Sequence, residues 1–389
     1  MKKVAIVSCY FMKNYGSMLQ AYATQKILDD LGIENETICI DGLSNKIKKA
    51  KLRYFFSKIL DLDVVKNKFI VIKHKMCEEI NFHGFKDNMR LRNRAFNEFS
   101  KIFNLSKAYS SFSELSDECR KYTDVLVGSD QLWLPSNIAA DYYTLNWVPE
   151  DINKISYATS FGVSTLENKF EKLAKKYLNR INYLSVREQS GKSLIKKISG
   201  LDAQIVCDPT LLFTGEDWMN IQKDKNIIEE KYIFCYFIGN NLEQREFVKR
   251  LKQYTGYKIV ALQHIDEYIV SDENFADETP YDIDPGDFIS LIRTAEYVCT
   301  DSFHGSVFSI LNSKKFFAFR RFKQNRKVST NSRLDSLFNL LGLENRLLTG
   351  NEDIEECLGK EIDYCIIHER LDIIRKKSKK FLKDALVII

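Results

Sequence analysis

The chain is poor in proline, with five in 389 residues, and it carries no internal repeat and no low-complexity tract. Fibrous, disordered and solenoid architectures are thereby excluded. No stretch approaches 18 uninterrupted apolar residues, so no segment reads as membrane-spanning. Nine cysteines are scattered without a single CxxC pair. Several lie inside apolar runs such as "IVCD" and "YIFCYF", which marks them as reduced core thiols and speaks against a zinc site. The opening "MKKVAIVSCYFMKNYG" is too short in its apolar part for a signal sequence and has no small-residue cleavage site. It reads as a first β-strand, and a cytoplasmic protein is expected. A net charge of +5 is too mild to indicate nucleic acid.

What is present is an ordinary globular composition in a chain too long for one average core, so two domains are expected. Apolar runs rich in β-branched residues, "VAIVSC", "ETICI", "DVLVGS", "KISYATS", "YLSVRE" and "AQIVCD", alternate with helical-period segments over 4–208. A second series runs from "KYIFCYFIG" at 231 through "KIVALQ", "YVCT" and "FFAF". Apolar strands joined by helical crossovers predict parallel sheets covered by helices. The expectation is therefore α/β, two Rossmann-like domains facing across a cleft, at 1–222 and 223–389. The polar run at 215–231 is the expected connection, and the final helix, about 363–385, has the freedom to pack back. Residues 44–105 form a basic helical excursion. Within 46–75, ten basic residues stand against two acids, interleaved with "YFF", "VV" and "FIVI". That pattern reads as a solvated excursion or as a patch resting on an anionic membrane surface.

Candidate chemistry gathers where strands end. After the first strand, Asn14, Gly16 and Ser17 make a small-residue turn into a helix, suited to a phosphate or sugar and equally to a plain capped turn. After "DVLV", Ser129, Asp130, Gln131 and Trp133 offer hydroxyl, carboxylate, amide and indole, the groups that read sugars. The same residues also suit a turn followed by a core tryptophan. Arg187 closes "YLSVRE", where a guanidinium can grip a carboxylate or phosphate, or simply pair with Glu188 on the surface. Asp208 before Pro209 reads as a turn residue. In "TDSFHGSVFSI", Asp301 or Ser302 can cap a helix that begins near Phe303, and the N–H groups around His304, Gly305 and Ser306 would welcome an anion. Phe303, Val307 and Ile310 share one stripe, with His304 about 100° away. A neutral imidazole is favoured at that helix end and suits acid–base work. The basic run 320–333 adds Arg320, Arg321 and Arg333.

Taken in order, "NYGSMLQAYATQKIL", "DVLVGSDQLW", "SYATSFG", "SVREQSG", "CDPTLL" and "TDSFHGSVFSI" resemble the polysaccharide pyruvyl transferase family, over about residues 4–312. The resemblance implies a GT-B-like fold and transfer of pyruvate from phosphoenolpyruvate onto a sugar, forming a ketal across two hydroxyls and releasing phosphate. It implies no cofactor beyond that donor, and no metal is demanded. By position His304 is similar to the family's catalytic histidine, and Arg187 to an anion contact. The roles expected on this basis are acid–base for His304 and Asp301. Donor binding falls to Arg187, Ser302, Gly305, Ser306, Arg320 and Arg333, and acceptor binding to Asn14, Gly16, Ser17, Ser129, Asp130, Gln131 and Trp133. Many members read "TDRFHG" where this chain has Ser302, so one guanidinium is missing unless Arg320, Arg321 or Arg333 replaces it. The acceptor is expected to be a sugar or lipid-linked oligosaccharide of a surface-polysaccharide precursor, met at the inner membrane face. Two rival readings stand beside this one: a nucleotide-sugar glycosyltransferase on the same architecture, and a glycan-binding protein without catalysis.

Overall fold

The computed structural model describes residues 2–57, 84–222, 227–264, 269–321 and 332–387. Among these, the strands form two parallel sheets. The first contains β1 (Lys3–Val7), β2 (Glu34–Cys39), β3 (Leu105–Ala108), β4 (Asp124–Val127), β5 (Asn153–Thr159), β6 (Tyr183–Val186) and β7 (Gln204–Ile205), in the order β3-β2-β1-β4-β5-β6-β7. The second contains β8 (Tyr232–Tyr236), β9 (Lys258–Leu262), β10 (Tyr297–Thr300), β11 (Lys315–Phe319) and β12 (Leu347–Leu348), in the order β12-β11-β10-β8-β9. The central strands "DVLV" and "YIFCY" are buried along their whole length, as both-face coverage requires.

The covering helices with the first sheet are α1 (Tyr15–Asp30), α2 (Ser44–Phe56), α3 (Phe85–Phe99), α4 (Phe112–Glu118), α5 (Pro135–Ala140), α6 (Asn168–Leu178) and α7 (Gln189–Ser199). After them come α8 (Leu242–Thr255), α9 (Pro285–Thr294), α10 (Phe303–Leu311), α11 (Ser332–Leu341), α12 (Ile354–Gly359) and α13 (Tyr364–Ala385). Within the basic excursion α2 and α3 are helical, while residues 58–83 lie outside the described residues, and with them part of the 46–75 patch. The edge strands β3 and β12 escape a reading of apolar runs: "LSKA" has two exposed residues and "LL" is only two residues long.

The two sheets are held carboxyl edge to carboxyl edge by α1 and α3. The apolar residues of α1 run right round the helix, with Tyr15, Met18, Leu19, Ala23, Ile27 and Leu28 all buried, because sheet and second domain cover it on opposite sides. The Tyr15 ring stacks on Phe288 of α9 at 4.8 Å, and its hydroxyl donates to the Ile283 carbonyl at 3.2 Å. From α3, buried Arg92 donates to the Gln263 carbonyl at 2.9 Å and lies over the Tyr281 ring.

The connection between the sheets is packed rather than free over its described part. Trp218 is buried, donates to the Thr210 carbonyl at 3.1 Å and meets Phe308 edge-on. A Cβ on Gly215 would lie 2.4 Å from the Leu311 carbonyl oxygen. Helix α13 returns to the first sheet. There Arg375 donates to the carbonyls of Leu211 at 2.7 Å and Phe213 at 3.1 Å, and Ser378 accepts from the Cys207 N–H at 3.0 Å. Replacing Arg375 by Ala leaves two buried carbonyls unpaired. It is expected to cost about 2–4 kcal/mol, read as a lower urea midpoint at unchanged slope.

Candidate active site

In each sheet one strand lies between neighbours whose crossovers run in opposite directions: β1 between β2 and β4, and β8 between β9 and β10. Ligands of open parallel sheets bind beyond the carboxyl ends of such strands. Here those two edges face one another. A surface hollow of about 730 Å3, lined by Lys2, Thr123, Asp124, Asn153, Asn182 and Tyr183, sits at the amino ends of the first sheet's strands, the end that lacks this arrangement.

The hub of the facing edges is Asp208, fully buried beyond β7. Its Oδ2 accepts from Arg187 Nη1 at 2.6 Å and from Ser129 Oγ at 2.8 Å. Its Oδ1 accepts from the backbone N–H and hydroxyl of Thr210 at 3.0 and 2.7 Å. Burial by itself would push this carboxyl up. His304, Arg187 and Thr210 outweigh it and hold the group well below the usual carboxylate range. From the second sheet, His304 Nε2 reaches to 3.6 Å from the same Oδ2, an ion-pair separation too long for a normal hydrogen bond. Nε2 has no partner among the described residues.

His304 is placed by both domains. Ser302 caps α10, its hydroxyl accepting from the Gly305 N–H at 3.3 Å. A Cβ on Gly305 would lie 2.4 Å from Thr300 Oγ1, so glycine lets the helix start tightly against β10. On the other side a Cβ on Gly16 would lie 2.0 Å from His304 Nδ1. The imidazole therefore seats directly on the first turn of α1. It is buried, although its helix position did not demand it. Asn14 caps that turn by accepting from the Ser17 N–H at 3.2 Å. Ser17 Oγ donates at 2.6 Å to Asp130 Oδ2, and Asp130 Oδ1 accepts from the Gln131 N–H at 2.9 Å. Asp130 holds a left-handed φ of 84°, costly for a residue with a Cβ. It is kept there by its carbonyl, which accepts from Ser160 N–H at 2.9 Å and Leu132 N–H at 2.8 Å. Burial raises the Asp130 carboxyl, but Arg187, His304 and Arg333 lower it further, below its ordinary value.

Guanidinium N–H donors outnumber their acceptors here among the described residues. The Phe303 ring lies under the Arg187 guanidinium at 4.5 Å and the Arg333 guanidinium at 6.0 Å. Burial and the neighbouring Arg187 pull the Arg333 group down to about 10. The opposite holds at Arg187, where burial is outweighed by Asp208, Glu188 and Asp130, which raise it. Among the described residues, buried nitrogens of Arg187 (Nε and Nη2), Arg321 (Nε) and Arg333 (Nε) have no hydrogen-bond partner.

Several expected site residues prove to have other duties. Trp133 is no stacking platform: it is buried, donates to the Tyr143 carbonyl at 3.0 Å and packs on Phe161 and Tyr177. Asp301 is no acid–base group in this arrangement, because its oxygens accept the N–H groups of Ile238 at 2.6 Å and Gly239 at 2.8 Å, tying β10 to β8. The N–H groups of Gly305 and Ser306 are taken by Ser302, at its hydroxyl and its carbonyl, so they do not await an anion. Arg320 pairs with Asp335 at 2.9 Å. It is Arg321 that stands 3.7 Å from Asp301. The Gln131 side-chain nitrogen is buried and unpaired beside Gly162.

Sequence reasoning gave three members other duties, Asp208 as a turn residue, Glu188 as a surface partner and Phe303 as core, and passed over Ser160. Glu188 is no surface partner. It is 1% exposed and accepts from Ser160 Oγ at 2.6 Å. The available signal was positional: Ser160, Glu188 and Asp208 follow β5, β6 and β7 of the first sheet, and Phe303 follows β10 of the second.

Two parallel α/β domains joined edge to edge around a seam of buried charged groups define a GT-B-like protein. A family model described as polysaccharide pyruvyl transferase matches residues 14–321, and the chain belongs to that family. No curated protein matches it. Among solved structures it is similar to the S. aureus MnaA–UDP co-structure, with TM-score 0.50, 12% identity and 100% and 98% of the two chains covered. A UDP-N-acetylglucosamine 2-epimerase matches with TM-score 0.50, 10% identity and 99% and 95% covered. Acinetobacter baumannii MurG matches with TM-score 0.44, 9% identity and 100% of both chains covered.

Replacing Asp208 by Asn leaves Arg187 buried without its counter-charge, and a loss of about 3–5 kcal/mol is expected. A depressed carboxylate contributes stability that is complete above its unfolded value of about 3.9 and drains as pH falls below it. Urea midpoints of the wild type and the variant should therefore stay a constant distance apart from pH 7 to about pH 5 and draw closer toward pH 3 without meeting, because the folded carboxyl is still ionised there.

Proposed function

We propose that the protein transfers the pyruvyl group of phosphoenolpyruvate to two hydroxyls of a sugar, closing a ketal and releasing phosphate. One observation carries this reading: four buried guanidinium nitrogens of the seam have no hydrogen-bond partner among the described residues, those of Arg187 and Arg333 on groups that lie against the Phe303 ring and that of Arg321 beside Asp301, close to the His304 imidazole. Unpaired buried donors are costly, and a small, multiply charged anion bearing both carboxylate and phosphate would satisfy them. Arg321 and Arg333 supply, from outside the "TDSFHG" stretch, the positive charge that Ser302 does not.

In this reading Arg187 and Arg333 hold the donor's anionic groups and stabilise the charge shifting onto phosphate. His304, with Asp208 behind it, takes the proton of the attacking hydroxyl and returns it to the departing phosphate. Ser17, Asp130 and Gln131, on the first-sheet side, face the acceptor. Calorimetry with phosphoenolpyruvate, UDP and GDP tests the donor, and phosphoenolpyruvate alone is expected to bind. The His304→Ala variant should still bind it, with phosphate release in the presence of acceptor down by about 10²–10⁴. Nucleotide binding without phosphoenolpyruvate binding would sink the proposal.

The acceptor is read as lipid-linked and met at an anionic inner membrane face. Helix α2 has no acidic residue, and it exposes Lys48, Lys49 and Arg53 beside Leu52 and Phe56, the last two 49% and 54% exposed. Changing the three basic residues to Gln should remove about 1 kcal/mol of vesicle affinity for each charge near the surface. Unchanged cosedimentation with anionic vesicles would rule this out.

A further inference from the structure

Four carboxylates surround the seam, and three are fully engaged. Asp208 and Asp301 accept at both oxygens, and so does Asp130. Glu188 alone is half used. Its Oε1 takes the Ser160 hydroxyl, while the buried Oε2 has no hydrogen-bond partner among the described residues. The nearest cation, Arg187 Nε, is 3.9 Å away, too far for a hydrogen bond. A buried carboxylate oxygen left bare is costly, whereas a protonated one is a donor awaiting an acceptor.

Resting on the donor reading above, we infer that Glu188 is the proton donor of the site, delivering the proton on Oε2 to the methylene carbon of the enolpyruvyl group. The Oε2–H bond breaks as the C3–H bond forms, turning CH2 into CH3 and leaving an oxocarbenium centre at C2. The first sugar hydroxyl bonds to C2 and its proton passes to His304. The C2–O bond to phosphate then breaks, and phosphate leaves with the proton from His304. The second hydroxyl closes the ketal, and its proton restores Glu188. One donor and one diol thus become one ketal and one hydrogen phosphate, with no other reactant.

The surroundings favour a proton at this position. Burial raises the Glu188 carboxyl, while Arg187 from its own loop, Ser160 from the end of β5 and Arg333 from α11 lower it. Asp130 from the loop after β4 raises it, and the balance lies above the ordinary value. A bound polyanion adds negative charge and favours the neutral form further.

The test needs no acceptor: the dissociation constant of phosphoenolpyruvate is measured by calorimetry from pH 5.5 to 9. If binding requires neutral Glu188, wild-type affinity weakens by about tenfold per pH unit on the alkaline side. Glu188→Gln, which is always neutral, lacks that limb and binds more tightly than wild type at pH 9. His304→Gln retains the limb, which separates it from any imidazole titration. Ser160→Ala removes a hydrogen bond to the ionised form and should move the limb to higher pH. This second variant keeps the test decisive if the glutamine variant does not fold. A purely structural Glu188 would instead weaken binding equally at every pH. Superimposable curves for wild type and Glu188→Gln, or an unmoved limb in Ser160→Ala, overturn the assignment alone. Absence of phosphoenolpyruvate binding at every pH overturns the donor reading and this assignment with it.

Discussion

The Asp208–Arg187 ion pair is the constraint around which the rest of the seam is arranged. Its two members follow different strands of the first sheet, and both are buried. A buried ion pair stabilises only if every remaining lone pair and N–H is provided for. Ser129 and Thr210 complete the carboxylate. Nothing among the described residues completes the guanidinium, whose remaining N–H groups and Phe303-stacked face point toward the second sheet. The pair therefore does two things: it fixes an arginine in position, and it leaves that arginine electrically hungry.

Everything contributed by the second sheet follows from that. Asp301 spends its charge on the backbone of β8, which fixes the turn into α10. Ser302 caps the helix, and the guanidinium beside Phe303 comes instead from Arg333 of α11, a separate helix further along the chain. Unpaired guanidinium N–H groups persist beside four carboxylates because Asp130, Asp208 and Asp301 are each bound to something else. Electrostatic preorganisation of this kind acts without reorganisation when charge moves.

Much of the fold was legible because central parallel strands must be apolar throughout, and "DVLV", "YIFCYF" and "YVCT" satisfy that without help. The edge strands β3 and β12 were not, since edge pairing leaves half of a short strand to solvent and erases the pattern. Of the site, His304 and Arg187 were readable from their place at strand ends. Trp133 misled because an indole near polar groups looks the same in sequence whether it faces a sugar or Tyr143's carbonyl. Asp301 misled for a related reason: a carboxylate's duty depends on whether backbone N–H groups reach it, and Ile238 and Gly239 lie some sixty residues earlier. Asp208 and Glu188 were undervalued because their importance arises only when β5, β6 and β7 are laid side by side.

The contact of Gly16 with the His304 ring couples two things that would otherwise be independent. His304 belongs to the second sheet, whereas its neighbour Asp208 and its seat on α1 belong to the first. Parting the sheets by even a few ångströms would pull the imidazole out of its socket and break its pairing at the same instant. The seam has no half-open form: water can enter it only once the imidazole has left its place between the two sheets. The mesh of a hydrogen-only side chain against an imidazole acts as the latch between the two sheets.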